Sequence, residues 1–220
     1  MPEHVELSGP AFAPASGGPA KQLVILLHGV GADGNDLIGL APMLSQGLPD
    51  AEFLAPNAPE PCDMAPVGYQ WFSLQDRSAD VIEAGVRAAA PLVDKFIDDN
   101  CAIRQITPDR VALFGFSQGC MMSLFVGLRR QTALAAVLGY SGALVAPEKL
   151  AAEIVSRPPV LLVHGEADPV VPYQMLAAAQ AGLEAAGVDV QTVSRPGLGH
   201  GIDEAGIREG AALLQRTLTA

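Results

Sequence analysis

Positive charge is scarce in this sequence. Thirteen Lys and Arg stand against 24 Asp and Glu in 220 residues, a formal net charge of −11. That balance disfavours nucleic acid and anionic membrane surfaces as partners, and it favours solubility without bearing on the fold. Cysteine is scarce too: Cys62, Cys101 and Cys120 are an odd number with no C-x-x-C spacing. Neither a disulfide framework nor a structural zinc site is suggested, which leaves reduced thiols in a cytoplasmic protein. No apolar run reaches the length of a membrane span, so no integral membrane association is expected. Residues 1–20 contain no basic segment followed by an apolar core, so no signal peptide is expected. Internal repeats and low-complexity tracts are missing.

Hydrophobic residues, by contrast, make up 50% of the chain. A length of 220 suits a single domain over residues 1–220 with a sizeable core. Residues 22–27 (QLVILL), 111–116, 134–140 and 159–163 are apolar runs of strand length, as in strands buried on both faces. Residues 188–193 alternate as a strand, 52–55 are a weak strand candidate, and 5–7 suggest a short edge strand before a loop over 9–20. Helical spacing marks 37–44, 79–97, 173–186 and 203–218. Pro91 should kink or divide the second of these. Residues 56–68 hold four prolines and read as irregular. Strands alternating with helices argue for a mainly parallel α/β sheet, whose working loops lie at the carboxyl ends of its strands.

Residues 111–122 read VALFGFSQGCMM: a strand, a G-x-S-x-G turn and a helix. With ten serines and 23 glycines, about 0.1 such patterns are expected by chance, so the motif is informative without being decisive. Its context is that of a nucleophile elbow, in which Ser117 stands clear of the strand and helix. The N–H of Gln118, at the helix start, then faces any oxyanion that forms. The bland alternative is a glycine-rich turn with a capping serine.

A serine hydroxyl needs a base, and imidazole has a pKa near the operating pH. Of His4, His28, His164 and His200, only His200 lies in a glycine-rich loop (196–201) after the last strand. A carboxylate should orient that imidazole. Asp168 follows a strand and falls between Ser117 and His200, the order serine, acid, histidine. Asp203 is the rival acid, better placed to start the final helix, and Glu166 is a weaker one. Asp168 itself has the alternative of capping a helix ahead of Pro169. Residues 28–36 form a glycine-rich loop after a strand. The loop lacks the lysine of a phosphate-binding loop and reads better as an oxyanion loop with the Val30 N–H as donor and His28 bracing it. Trp71, the single tryptophan, either lines a pocket or anchors a loop to the core. The histidine spacing matches no metal motif, and neither a metal nor another cofactor is expected.

Four stretches together resemble the carboxylesterase/phospholipase family of small α/β-hydrolases, which includes bacterial carboxylesterases and acyl-protein thioesterases. They are LLHGVGADGNDL (26–37), VALFGFSQGCMM (111–122), VLLVHGEADPVVP (160–172) and GLGHGID (197–203). YQWFSL (69–74) is similar to the bacterial members. The resemblance implies an α/β-hydrolase fold with a minimal cap and an open, shallow apolar cleft near Trp71 and Val170. It implies Ser117, Asp168 and His200 as catalytic residues, the Val30 and Gln118 N–H groups as oxyanion hole, and a homodimer. Val30 stands where a larger residue such as Leu or Tyr is expected, which a backbone role tolerates. The expectation is a cytoplasmic serine carboxylesterase acting on short- to medium-chain esters. The alternatives are a lysophospholipase or acyl-protein thioesterase, and a ligand-binding receptor that kept the hydrolase fold.

Overall fold

The structure is a computed structural model and describes residues 6–219. Its centre is a seven-stranded sheet built from β1 (Ala11–Phe12), β2 (Gln22–Leu27), β3 (Ala51–Leu54), β6 (Val111–Phe116), β7 (Ala136–Tyr140), β8 (Val160–Gly165) and β9 (Val190–Arg195). The spatial order is β1-β3-β2-β6-β7-β8-β9, parallel except for β1. A small antiparallel hairpin, β4 (Glu60–Pro61) and β5 (Tyr69–Gln70), lies apart from it.

The apolar runs form strands because both their faces are covered. In β2, Leu23, Ile25 and Leu27 point to one side and Val24 and Leu26 to the other, all fully buried. The first side is packed by α3 (Ala79–Arg104) and α4 (Gln118–Gly127), through Val86, Val93, Ile97, Met122 and Phe125. Farther along that side, α4, α5 (Pro147–Glu153) and α6 (Gln174–Ala185) cover β7 and β8 through Leu124, Leu150, Leu176 and Leu183. The opposite side carries α1 (Gly34–Ile38), α2 (Ala41–Leu44) and α7 (Glu204–Leu218), through Leu37, Leu44, Leu213 and Leu214.

The chain moves outward from β2 to β3 and then returns to place β6 on the other side of β2. Leu27 pairs with Gly115, so the loops leaving β2 and β6 emerge side by side. This reversal of strand order is where open α/β sheets bind their ligands.

Three elements depart from expectation. The edge strand is β1, inside the stretch read as a loop; Glu6 and Leu7 are not in a strand, and Val5 lies outside the described residues. β1 is held by the Phe12 ring packing edge-on against Phe53 at 6.2 Å and by the Ala55 N–H bonding Pro10 O at 3.0 Å. α3 runs unbroken through Pro91. Pro91 is exposed, while Val86, Ala89, Ala90, Val93 and Ile97 are buried along the opposite face and hold the helix together. The prolines of 56–68 do not prevent pairing: Pro61 sits in β4, an edge where no N–H is required.

Candidate active site

Ser117 joins β6 to α4 with φ 54° and ψ −114°, a conformation costly for a residue with a Cβ. The surrounding backbone leaves room only for glycine. A Cβ on Gly115 would lie 2.2 Å from Gly119 O, and one on Gly119 would lie 1.9 Å from Leu27 O. Strand, turn and helix are therefore in backbone contact, and the Ser117 hydroxyl is turned out of the turn.

Asp168 follows β8 and His200 follows β9. His200 Nε2 lies 3.0 Å from Ser117 Oγ, and His200 Nδ1 lies 2.8 Å from Asp168 Oδ2. A proton on Nδ1, donated to the carboxylate, leaves Nε2 to accept the serine hydroxyl. Burial works to raise the pKa of Asp168. Bonds from His200 and from the Val171 and Val170 N–H groups outweigh it and hold the carboxyl below its usual range. The Phe116 ring packs against the His200 imidazole at 4.8 Å.

The rival acids are placed elsewhere. Asp203 caps α7 through the Gly206 N–H at 2.8 Å and pairs with Arg195. Glu166 is exposed. Nor is Cys120 a rival nucleophile, because burial pushes its thiol up to about 12.

The loop after β2 reaches the elbow: a Cβ on Gly29 would stand 3.3 Å from Ser117 Cβ. Among the described residues, neither the Val30 N–H nor the Gln118 N–H has an acceptor. The Gln118 N–H directly follows the nucleophile in the chain, and the Val30 N–H follows Gly29 in the loop that reaches it; stabilising an oxyanion requires donors without other acceptors. His28 braces the loop. Its Nε2 accepts the Ala58 N–H at 2.9 Å and its Nδ1 lies 2.8 Å from Gly29 O, so the proton belongs on Nδ1. Burial lowers its pKa, which keeps the ring neutral.

Trp71 does not line the cleft. It is 2% exposed, and its indole N–H donates to His28 O at 2.9 Å. Of its two sequence readings, the anchor to the core describes it, because the hairpin folds the ring inward. The Gln118 side chain bonds the same segment: Oε1 accepts the Trp71 N–H at 2.9 Å and Nε2 donates to Phe72 O at 2.6 Å. Val170 is half exposed, beside Asp168. A cleft of about 260 Å³ opens beside His200, lined by Asp36, Leu37, Leu40, Phe116, Gly201 and Ile202. A larger cavity, about 540 Å³, lies along the outer face of α3 and includes none of these site residues.

His164 was legible only as a strand-end histidine. In the fold its Nε2 lies 3.0 Å from Val171 O and 3.3 Å from Asp168 Oδ2, fully buried behind the acid. The spacing of four from His164 to Asp168 was its only signal. His28 bonds Gly29 and Ala58, while His164 and His200 both face Asp168 Oδ2, and among the described residues no group of three or more His, Cys, Asp or Glu is placed to hold a metal.

Comparison with known proteins gives concordant results. The profile described as phospholipase/carboxylesterase matches residues 11–217. Acyl-protein thioesterase 1 of Neurospora crassa is 32% identical over 199 residues, covering 80% of this chain and 79% of the relative. Esterase YpfH of Escherichia coli is 32% identical over 186 residues, covering 84% and 78%. The crystal structure of esterase PE8 superposes with a TM-score of 0.93 at 44% identity, over 97% of this chain and 100% of that one.

Proposed function

This chain belongs to the phospholipase/carboxylesterase family and is an ester hydrolase, and from that premise we propose a serine carboxylesterase with Ser117 as nucleophile, His200 as base and Asp168 as acid. The observation that carries the reading is the unbroken hydrogen-bonded chain from Asp168 through His200 to Ser117, ending at an elbow where only glycines fit.

In this mechanism Ser117 Oγ attacks the acyl carbonyl as His200 Nε2 takes its proton. Asp168 fixes the imidazole tautomer and stabilises the imidazolium. The carbonyl oxygen becomes an anion facing the Val30 and Gln118 N–H groups, each worth about 3 kcal/mol of barrier lowering. The carbon–oxygen bond to the leaving group breaks as His200 returns the proton to the alkoxide. Water then attacks the acyl-enzyme with His200 again as base, which releases the acid and restores Ser117. These steps need no cofactor. The apolar cleft of Leu37, Leu40, Phe116 and Ile202 suits short- to medium-chain esters. The three unpaired cysteines fit the reducing cytoplasm.

Steady-state hydrolysis of p-nitrophenyl esters from acetate to palmitate tests this, with Ser117→Ala as control. We expect a maximum at short chains and a loss of about 10⁴-fold or more in kcat in the variant. Unchanged hydrolysis by Ser117→Ala would overturn the mechanism. A maximum at long chains would favour a second reading, a thioester substrate, which the acyl-protein thioesterases among the relatives support, or a lysophospholipid, which the family description supports. Failure of Ser117 to react with a fluorophosphonate would favour a binding role instead.

A further inference from the structure

The two N–H groups of the oxyanion hole come from segments that share no strand pairing. Val30 lies in the loop beyond the end of β2, and Gln118 opens α4 after β6. The sheet aligns β2 with β6 only as far as Leu27 and Gly115. Beyond that point the relative position of the two donors depends on other bonds.

Trp71 supplies a pair of them. Its main-chain N–H donates to Gln118 Oε1 at 2.9 Å, and its indole N–H donates to His28 O at 2.9 Å, two residues before Val30. One buried residue therefore bonds the side chain of one donor residue and the loop that carries the other. Its neighbours extend the contact. Phe72 O accepts from Gln118 Nε2, and Tyr69 exchanges two 2.8 Å bonds with Gly31 and Ala32. The His28 ring meets the Trp71 ring at 5.7 Å and bonds Ala58, so the carbonyl that the indole grips is fixed from a second direction.

We propose that Trp71 is a positioning residue for catalysis, a two-point brace that sets the spacing between the Val30 and Gln118 donors. This rests on the oxyanion-hole reading above. A hole is effective only when both donors are in place before charge develops, and a displacement of about 1 Å costs roughly 100-fold in rate. The brace acts on the transition state, since a ground-state carbonyl gains little from it. Loss of the indole N–H would let the Val30 loop move while leaving the ring in the core.

The test uses the fact that this chain has a single tryptophan. Growth of a tryptophan auxotroph on β-(3-benzothienyl)alanine replaces Trp71 alone, exchanging the N–H for sulfur at nearly constant shape. We expect kcat on a p-nitrophenyl ester to fall about 10- to 100-fold with KM within twofold. Affinity for a trifluoromethyl ketone, which forms an oxyanion on Ser117, should fall by the same factor as kcat/KM. Binding of the unreacted ester, measured on the Ser117→Ala background, should stay constant. Gln118→Met, which removes the other end of the brace but keeps the Gln118 N–H, should show the same signature. It decides by the same criteria if the analogue prevents folding. A kcat within twofold of the parent, or a loss confined to KM or to melting temperature, overturns the proposal and returns Trp71 to packing alone. Hydrolysis that persists in Ser117→Ala overturns the esterase reading itself, and is told apart because that control is run first.

Discussion

At the scale of single residues, the site turns on how one carboxylate is held. Asp168 Oδ1 takes two backbone N–H groups, while Oδ2 faces His200 with His164 behind it. Asp168→Asn keeps this shape but presents an amide to His200 Nδ1 and favours the wrong imidazole tautomer. We expect a loss of about 10⁴-fold in kcat with the fold retained, measured by ester hydrolysis and circular dichroism. Asp203→Asn should instead cost some stability, through the α7 cap and the Arg195 pair, and little turnover. The reverse result would identify Asp203 as the acid. Ser117, Asp168 and His200 were readable in the chain because each sits in a short local pattern after a strand. The indole of Trp71 and the imidazole of His164 were not. Trp71 bonds partners 43 and 47 positions away, and the part His164 plays depends on how the 168–171 loop folds back.

At the scale of elements, α3 shows packing overruling propensity. Pro91 removes one helical hydrogen bond and crowds the preceding turn, yet the helix persists because its inner face is buried along its length. Pro91→Ala should restore the bond at the cost of a looser unfolded chain. The expected net gain is about 1–2 kcal/mol, or roughly 3–6 °C in Tm, by thermal denaturation. An unchanged or lower Tm would mean that the helix is already relaxed around the proline. The long elements were legible because periodicity accumulates over many residues. The seven-residue α5 and the two-residue strands β1, β4 and β5 were not, since so few residues show no period and their pairing is decided by distant partners such as Leu54 and Phe53.

At the scale of the whole molecule, the sheet buries groups whose protonation couples to folding. His28 is driven below its ordinary 6.5 by burial. The unfolded chain therefore binds that proton more readily, and the corresponding stability is present above about pH 6.5 and drains away as pH falls toward the folded value. Asp203, held below its ordinary value by Arg195, and Asp168 add a second loss at lower pH, once their folded values are approached. Asp94, pushed up by burial beside Arg130, works in the opposite sense. Tm should thus start to fall near pH 6.5, well before carboxylates titrate, and His28→Asn should remove that first decline. A Tm flat from pH 7 to 5 in the parent protein would contradict it.

His200 lies 83 positions beyond Ser117, and α7 follows it, laying Ile207, Leu213 and Leu214 over the face that Phe114 and Leu138 present. Any chain that ends between Ser117 and His200 therefore carries the serine without the imidazole proposed as its base. It also lacks α7, which leaves that face of the sheet uncovered. Truncation before His200 is therefore expected to abolish the proposed chemistry and to bare apolar sheet surface in one step.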